Sequence, residues 1–162
     1  MASTLFRTLH RWKCTSTHHK LALDALTLLK NPAAEAWQAV FLGRIEPYLT
    51  GSKAPDTQFK DFRNHVYHVK ENGWGGAPGA AVSWYAKTVT SLKDRRWNEA
   101  VYHAGVLSHY VTDIVQPFHT GQSEAEGAVH RAAEWSIACG YFELRDLLVA
   151  ELGGFPELPR LT

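Results

Sequence analysis

From His19 to Lys30 the apolar residues Leu21, Ala22, Ala25, Leu28 and Leu29 recur at helical spacing, and Asn31-Pro32 stops that helix and can start the next. The second predicted helix carries the stripe Trp37, Val40, Phe41 and Ile45 and runs to about Ile45. Residues 51 to 79 break the pattern. They hold Gly51, Pro55, Gly73, Gly75, Gly76, Pro78 and Gly79 with few β-branched alternations, so a long irregular connection is expected there, of the kind that is functional or disordered. A third helix is predicted over roughly Ala80 to Leu92, and a fourth over Trp97 to Val115, where Pro117 forbids continuation. A fifth covers about Ala128 to Leu152, with an interruption at Gly140 and an end at Gly153-Gly154. The pattern therefore predicts an all-α fold, a single compact helical domain of about five helices. Its expected limits are 18–152, with an N-terminal segment 1–17 and a C-terminal tail 153–162.

Composition narrows the partners. The 162 residues are 45% hydrophobic and 20% charged, the ordinary balance of one globular domain. A formal net charge of +1 gives no support to a nucleic-acid partner, which usually meets a strongly basic surface. Cys14 and Cys139 are too few for a disulfide framework and lack the spacing of a redox pair or zinc knuckle. No apolar run approaches the ~20 residues needed to cross a bilayer. The opening segment also lacks the apolar centre of a secretory signal peptide, so export is not supported and the localisation stays unknown.

Nine histidines are the compositional anomaly. His109 and Asp113 stand four apart on a predicted helix, which places their side chains on one face about 5–6 Å apart at Cβ. His130 and Glu134 repeat the spacing, and between the pairs Pro117 leaves His119 free to turn back toward either. Zinc accepts imidazole nitrogen and carboxylate oxygen, so two such pairs with a histidine between them could build more than one site. Spacing alone leaves surface ion pairs and a metal centre both open. His19 and His68 neighbour other candidate ligands and could replace them in a shifted register. His10 reads as solvated, and His103 as an ordinary histidine on the opposite side of the fourth helix from His109. Trp74, Trp84, Trp97 and Trp135 read as core or pocket-wall residues.

The run His109-Tyr110-Val111-Thr112-Asp113-Ile114-Val115-Gln116-Pro117-Phe118-His119 resembles the signature of the bacterial zinc-dependent phospholipase C family. His130-x-x-x-Glu134 is similar to its closing ligand pair. Thr17-His18 followed by Leu21, Ala22, Ala25 and Leu26 resembles its first ligand histidine at the head of a helix. Ala54-Pro55-Asp56 and Asn64-His65-Val66-Tyr67 look like its aspartate and second histidine. The resemblance implies two to three zinc ions: one on Asp56, His65, His109 and Asp113, a second on His119, His130 and Glu134, and a third on His18 with Asp113 bridging. In the family an N-terminal tryptophan exposed by processing completes the third site, and Trp12 is the candidate here, although eleven residues precede it. Either the chain is trimmed after Arg11 or that site is incomplete. Val115 and Gln122 depart from the usual signature at positions that are not ligands.

The function implied is hydrolysis of a phospholipid headgroup ester by a metal-activated water. Asp56 would serve as both ligand and general base, and the 51–79 region with Trp74 as the substrate rim. The implied partner is a phospholipid or other phosphodiester, with peripheral membrane contact; oligomeric state is not legible. Two other readings accompany it. Single-strand-specific zinc nucleases share the three-zinc arrangement, but their closing motif has a glycine-glycine-asparagine lead-in that His130 and Glu134 lack. A non-catalytic zinc-binding domain is the other, because only 28 residues follow Glu134.

Overall fold

The computed structural model describes residues 4–121 and 123–152; the tail 153–162, with its Gly153-Gly154 helix stop, and the departure at Gln122 lie outside them. The described chain is all-α: α1 (Thr4–Lys13), α2 (Thr17–Thr27), α3 (Ala34–Leu42), α4 (Ile45–Ala54), α5 (Ala77–Lys93), α6 (Trp97–Val115), α7 (Pro117–Thr120), α8 (Glu124–Cys139) and α9 (Tyr141–Leu152). The expected interruption at Gly140 is real and separates α8 from α9. No helix among the described residues is long and apolar enough to cross a membrane.

Helix α6 is the centre, packed most extensively against α4 and α5 and also against α2. Its approach to α4 depends on two glycines. A Cβ on Gly51 would stand 2.2 Å from the Tyr102 carbonyl oxygen, and one on Gly105 would stand 2.1 Å from that of Tyr48. Hydrogen atoms in both places let the two backbones touch. This is why α4 continues through Gly51 instead of giving way to the irregular stretch expected there: the glycine serves a helix crossing, not a turn. On one side of the crossing Leu23, Leu26, Tyr48, Leu49 and Val101 bury together with Phe6. Complete burial of a side chain such as Leu23 or Val101 contributes roughly 1.5–3 kcal/mol. On the other side Ala54, Val106 and Tyr110 bury beneath Phe59 and Trp84, whose rings stack 5.5 Å apart.

The connection from Ala54 to Ala77 is ordered. A π turn over Pro55–Phe59 closes with the Lys60 N–H donating to the Pro55 carbonyl, and a 3₁₀ turn covers Phe62–His65. A two-residue antiparallel ladder follows, pairing Tyr67 with Gly75 and His68 with Trp74. Gly75 takes φ +124°, and a Cβ there would lie 2.0 Å from the Val66 carbonyl oxygen, so glycine alone permits this hairpin.

The amino-terminal segment also differs from expectation. Residues 4–13 form α1, which buries Phe6 and His10. His10 is therefore not solvated: its Nε2 lies 2.8 Å from Asp24 Oδ1 on α2. A stripe of two turns was too short to register as a helix in the sequence pattern. Of the tryptophans expected in the core or a pocket wall, Trp135 is 69% exposed and so not in the core, while Trp74, 50% exposed, is open as a rim residue would be.

Candidate metal centre

Helix α6 supplies the middle of the site through His109 and Asp113, which are buried at 0% and 2% exposure. The crossing with α4 fixes His109, whose Nδ1–H donates to the Ser52 carbonyl at 2.9 Å. A carbonyl only accepts, so in the neutral ring Nε2 is left bare and faces inward. His65, delivered by the 3₁₀ turn, brings Nδ1 to 3.1 Å from that Nε2 and 2.8 Å from Asp113 Oδ2. Asp56, on the π turn, places Oδ1 3.7 Å from His109 Nε2 and 3.8 Å from His65 Nδ1. Unlike its partners it is open to solvent, its side chain 43% exposed.

His18 enters from the first turn of α2, whose start is capped by the Ser16 side chain accepting from the His19 N–H. Its ring stacks on His109 at 3.7 Å between centroids. Thr112 donates its hydroxyl hydrogen to the His109 carbonyl at 2.8 Å, so its oxygen accepts from His18 Nδ1–H at 3.1 Å. His18 Nε2 is thereby turned toward Asp113 Oδ1 at 3.7 Å. Across the basin, the Gln116-Pro117 junction starts α7 and carries His119, whose Nδ1–H donates to the His65 carbonyl at 3.0 Å. His119 Nε2 lies 3.3 Å from Glu134 Oε1 on α8, and His130 Nε2 lies 2.8 Å from the same oxygen.

The donor atoms thus gather into three groups, the first two sharing His109, each with atoms within 4.8 Å of one another: His18, Asp56 and His109; His65, His109 and Asp113; His119, His130 and Glu134. Asp113 lies between them. Its Oδ2 faces His65 and His109, while its Oδ1 faces His18 and, at 3.5 Å, His119 Nδ1.

The donor set fits zinc. Four ligands about 2.0–2.1 Å from a tetrahedral ion stand about 3.3 Å from one another, and the atoms around His109 Nε2 are separated by 2.8 to 3.8 Å. Two bare imidazole nitrogens and a carboxylate oxygen this close repel unless a proton or a metal ion lies between them. The ionisation behaviour agrees. Burial pushes the Asp113 carboxyl up, but with His109 and His65 protonated their hydrogen bonds and charge outweigh it and hold the group well below the usual carboxylate range, so positive charge among these three groups keeps the carboxylate ionised. The hydrogen bond from His119, reinforced by His130, brings Glu134 down to about 2 against the opposing effect of burial. Burial, with His109 alongside, lowers His18 to about 4, so this ring is neutral and available as a ligand near neutral pH.

The neighbouring histidines stand outside the three donor groups. His19 Nδ1 accepts from the Thr15 N–H at 3.1 Å, His68 Nδ1 pairs with Glu71 at 3.0 Å, and His103 Nδ1 meets Ser91 at 3.2 Å. Trp12 is not brought in: it stands 73% exposed on α1, with the Arg11 guanidinium over its ring. Several contributors escaped the sequence pattern. The Ser52 carbonyl acts through the backbone, which no residue type reveals. Thr112 lies inside the signature yet reads there as an ordinary helix residue. Asp61, with Oδ1 3.5 Å from His65 Nε2, is four residues from that histidine, the same spacing that marked His109 and Asp113.

Comparison with known proteins agrees with this chemistry. Neither curated proteins nor solved structures gave a match. A family model described as zinc dependent phospholipase C matches residues 17–146, the span that contains every histidine and carboxylate of the three groups. With that match over most of its length, the chain belongs to the zinc-dependent phospholipase C family.

Proposed function

We propose that this domain holds two to three zinc ions in the basin around Asp113 and hydrolyses a phospholipid headgroup ester. The observation that carries the reading is the position of Asp113, whose two oxygens face different sets of histidines, Oδ2 toward His65 and His109 and Oδ1 toward His18 and His119. Asp56, His65, His109 and Asp113 would hold one ion, and His119, His130 and Glu134 a second. His18 with Asp113 Oδ1 would hold a third, completed by the amino group and carbonyl of Trp12 in a chain that begins there. Bound zinc supplies Lewis acidity, which ionises water near neutral pH and offsets phosphoryl charge.

The protein groups then have distinct tasks. Asp113 and Glu134 stay ionised and hold the histidines in place. Asp56 combines proximity to His109 and His65 with solvent exposure, so it can orient a water and accept its proton. Phe62 and Trp74, 69% and 50% exposed beside His65 and His68, form the rim that meets substrate.

The test offers zinc-loaded protein a phosphocholine ester and single-stranded DNA in parallel, with Asp56→Asn as the control. Release of phosphocholine that Asp56→Asn reduces at least 100-fold supports the proposal. Cleavage of DNA alone, or no hydrolysis at full zinc occupancy, overturns it.

A further inference from the structure

The histidines of the basin do not all point the same way. His18, His109 and His119 each turn Nε2 inward and tie Nδ1 to a fixed acceptor: the Thr112 hydroxyl, the Ser52 carbonyl and the His65 carbonyl. His65 is reversed. Its Nδ1 faces Asp113 and His109, so for that atom to carry a lone pair the proton must sit on Nε2, at the far edge of the ring. Nothing inside the ring enforces that choice.

The group opposite Nε2 is Asp61. Its Oδ1 lies 3.5 Å away, and these two atoms are both buried and both without a hydrogen-bond partner. Two unsatisfied buried atoms of complementary character, a nitrogen able to donate and a carboxylate oxygen able only to accept, need a contraction of roughly 0.7 Å to bond. The other oxygen is fully engaged. Asp61 Oδ2 accepts from the Tyr110 hydroxyl at 2.7 Å and from Asn64 Nδ2 at 2.8 Å. Tyr110 is completely buried on α6, one residue from His109, so the carboxylate is anchored to the helix that carries the centre of the basin. Asn64 has room to reach Asp61 because position 76 is glycine, where a Cβ would stand 2.1 Å from Asn64 Oδ1.

We infer that Asp61, clamped by Tyr110 and Asn64, is the positioning residue that keeps the His65 proton on Nε2 and so makes Nδ1 the ligand atom. The assignment rests on the zinc reading above. It adds that the site has its own device for a histidine turned opposite to its neighbours. A carboxylate that accepts from the outer nitrogen of a ligand histidine orients the ring and raises its basicity, and loss of such a partner lowers metal affinity about 10–100-fold. The clamp also occupies Asp61 outside the three donor groups: one oxygen engages Tyr110 and Asn64, and the other faces the outer edge of His65.

The test reads the His65 tautomer by nitrogen-15 NMR in zinc-loaded protein, and zinc affinity by competition with a chelator, for the native chain, Asp61→Asn and Asp61→Glu. The native chain should show His65 protonated on Nε2. Asp61→Asn can present its amide N–H to that nitrogen, so the proton should move to Nδ1 and zinc affinity should fall about 10–100-fold. Asp61→Glu should restore the Nε2 tautomer and part of the affinity. A native His65 protonated on Nδ1 overturns the assignment even if the variants fail to fold, as does a folded Asp61→Asn with unchanged tautomer and affinity within twofold. Should no chain bind zinc, the zinc reading fails and the assignment falls with it, whereas zinc bound at full occupancy with His65 protonated on Nδ1 overturns the assignment alone.

Discussion

His109 Nε2 and His65 Nδ1 face each other 3.1 Å apart, with Asp113 Oδ2 within 3.2 Å of both. The two rings come from elements 44 residues apart in sequence, and their outer nitrogens point to different acceptors, Ser52 and Asp61. Under the proposed function a cation between them, rather than a bond between them, would account for the arrangement.

Asp113→Asn keeps the size of the side chain and removes the charge that serves two faces of the basin. Zinc content should fall by more than one ion and hydrolysis should be lost. His103→Gln changes a ring whose Nδ1 meets Ser91 and which lies outside the three donor groups, and should leave stoichiometry unchanged. Elemental analysis of the two variants checks this, and equal loss in both would mean the basin is not where the ions bind.

The pair legible in the sequence was legible because it is local. His109 and Asp113 share one helix, and a four-residue spacing fixes their common face whatever the rest of the fold does. His65 and Asp61 share that spacing but lie on a 3₁₀ turn entered from a non-helical residue, where it implies no such face. Their relationship needs the Tyr110 and Asn64 clamp to be seen. Gly51 illustrates the same limit in the fold: as a sequence symbol it marks a break, and only the approach of Tyr102 makes it a contact residue within α4. His10 reads as solvated in the sequence because its partner, Asp24, is fourteen residues away on another helix.

That buried contact gives an acid-stability prediction independent of zinc. Asp24 is pushed up by burial, but hydrogen bonds from His10 and Tyr141, with Arg145 nearby, outweigh this and lower its pKa from an ordinary value of 3.8. Cys14, also close by, is raised to about 11 by burial and by Asp24, so it stays a neutral thiol. A depressed carboxylate contributes stability above its unfolded pKa and loses it as pH falls through the lower folded value. Asp24→Asn should therefore cost about 3 kcal/mol at pH 7 in chelator-treated protein. Urea midpoints should show this gap persisting to pH 5 and narrowing below about pH 4. A gap that widens on acidification would reverse the sign argued here.

Trp12 poses a separate question. A free α-amino group has a pKa of about 7.7–8.0 and can give a lone pair to zinc, which an internal peptide nitrogen cannot do in this way. A chain beginning at Trp12 should bind one more zinc ion than one beginning at Met1 and hydrolyse phosphodiesters faster at neutral pH. Parallel titrations check this, and equal stoichiometry with equal activity would remove Trp12 from the site.

The most direct measurement is the zinc content of the purified, zinc-supplemented protein, read together with its melting temperature before and after a chelator. Ions that bind only the folded basin stabilise it by mass action. Two to three equivalents, with a melting temperature that falls when they are withdrawn, is the expected result. Less than half an equivalent, with no change on chelation, would contradict the proposal that these histidines and carboxylates form a zinc centre.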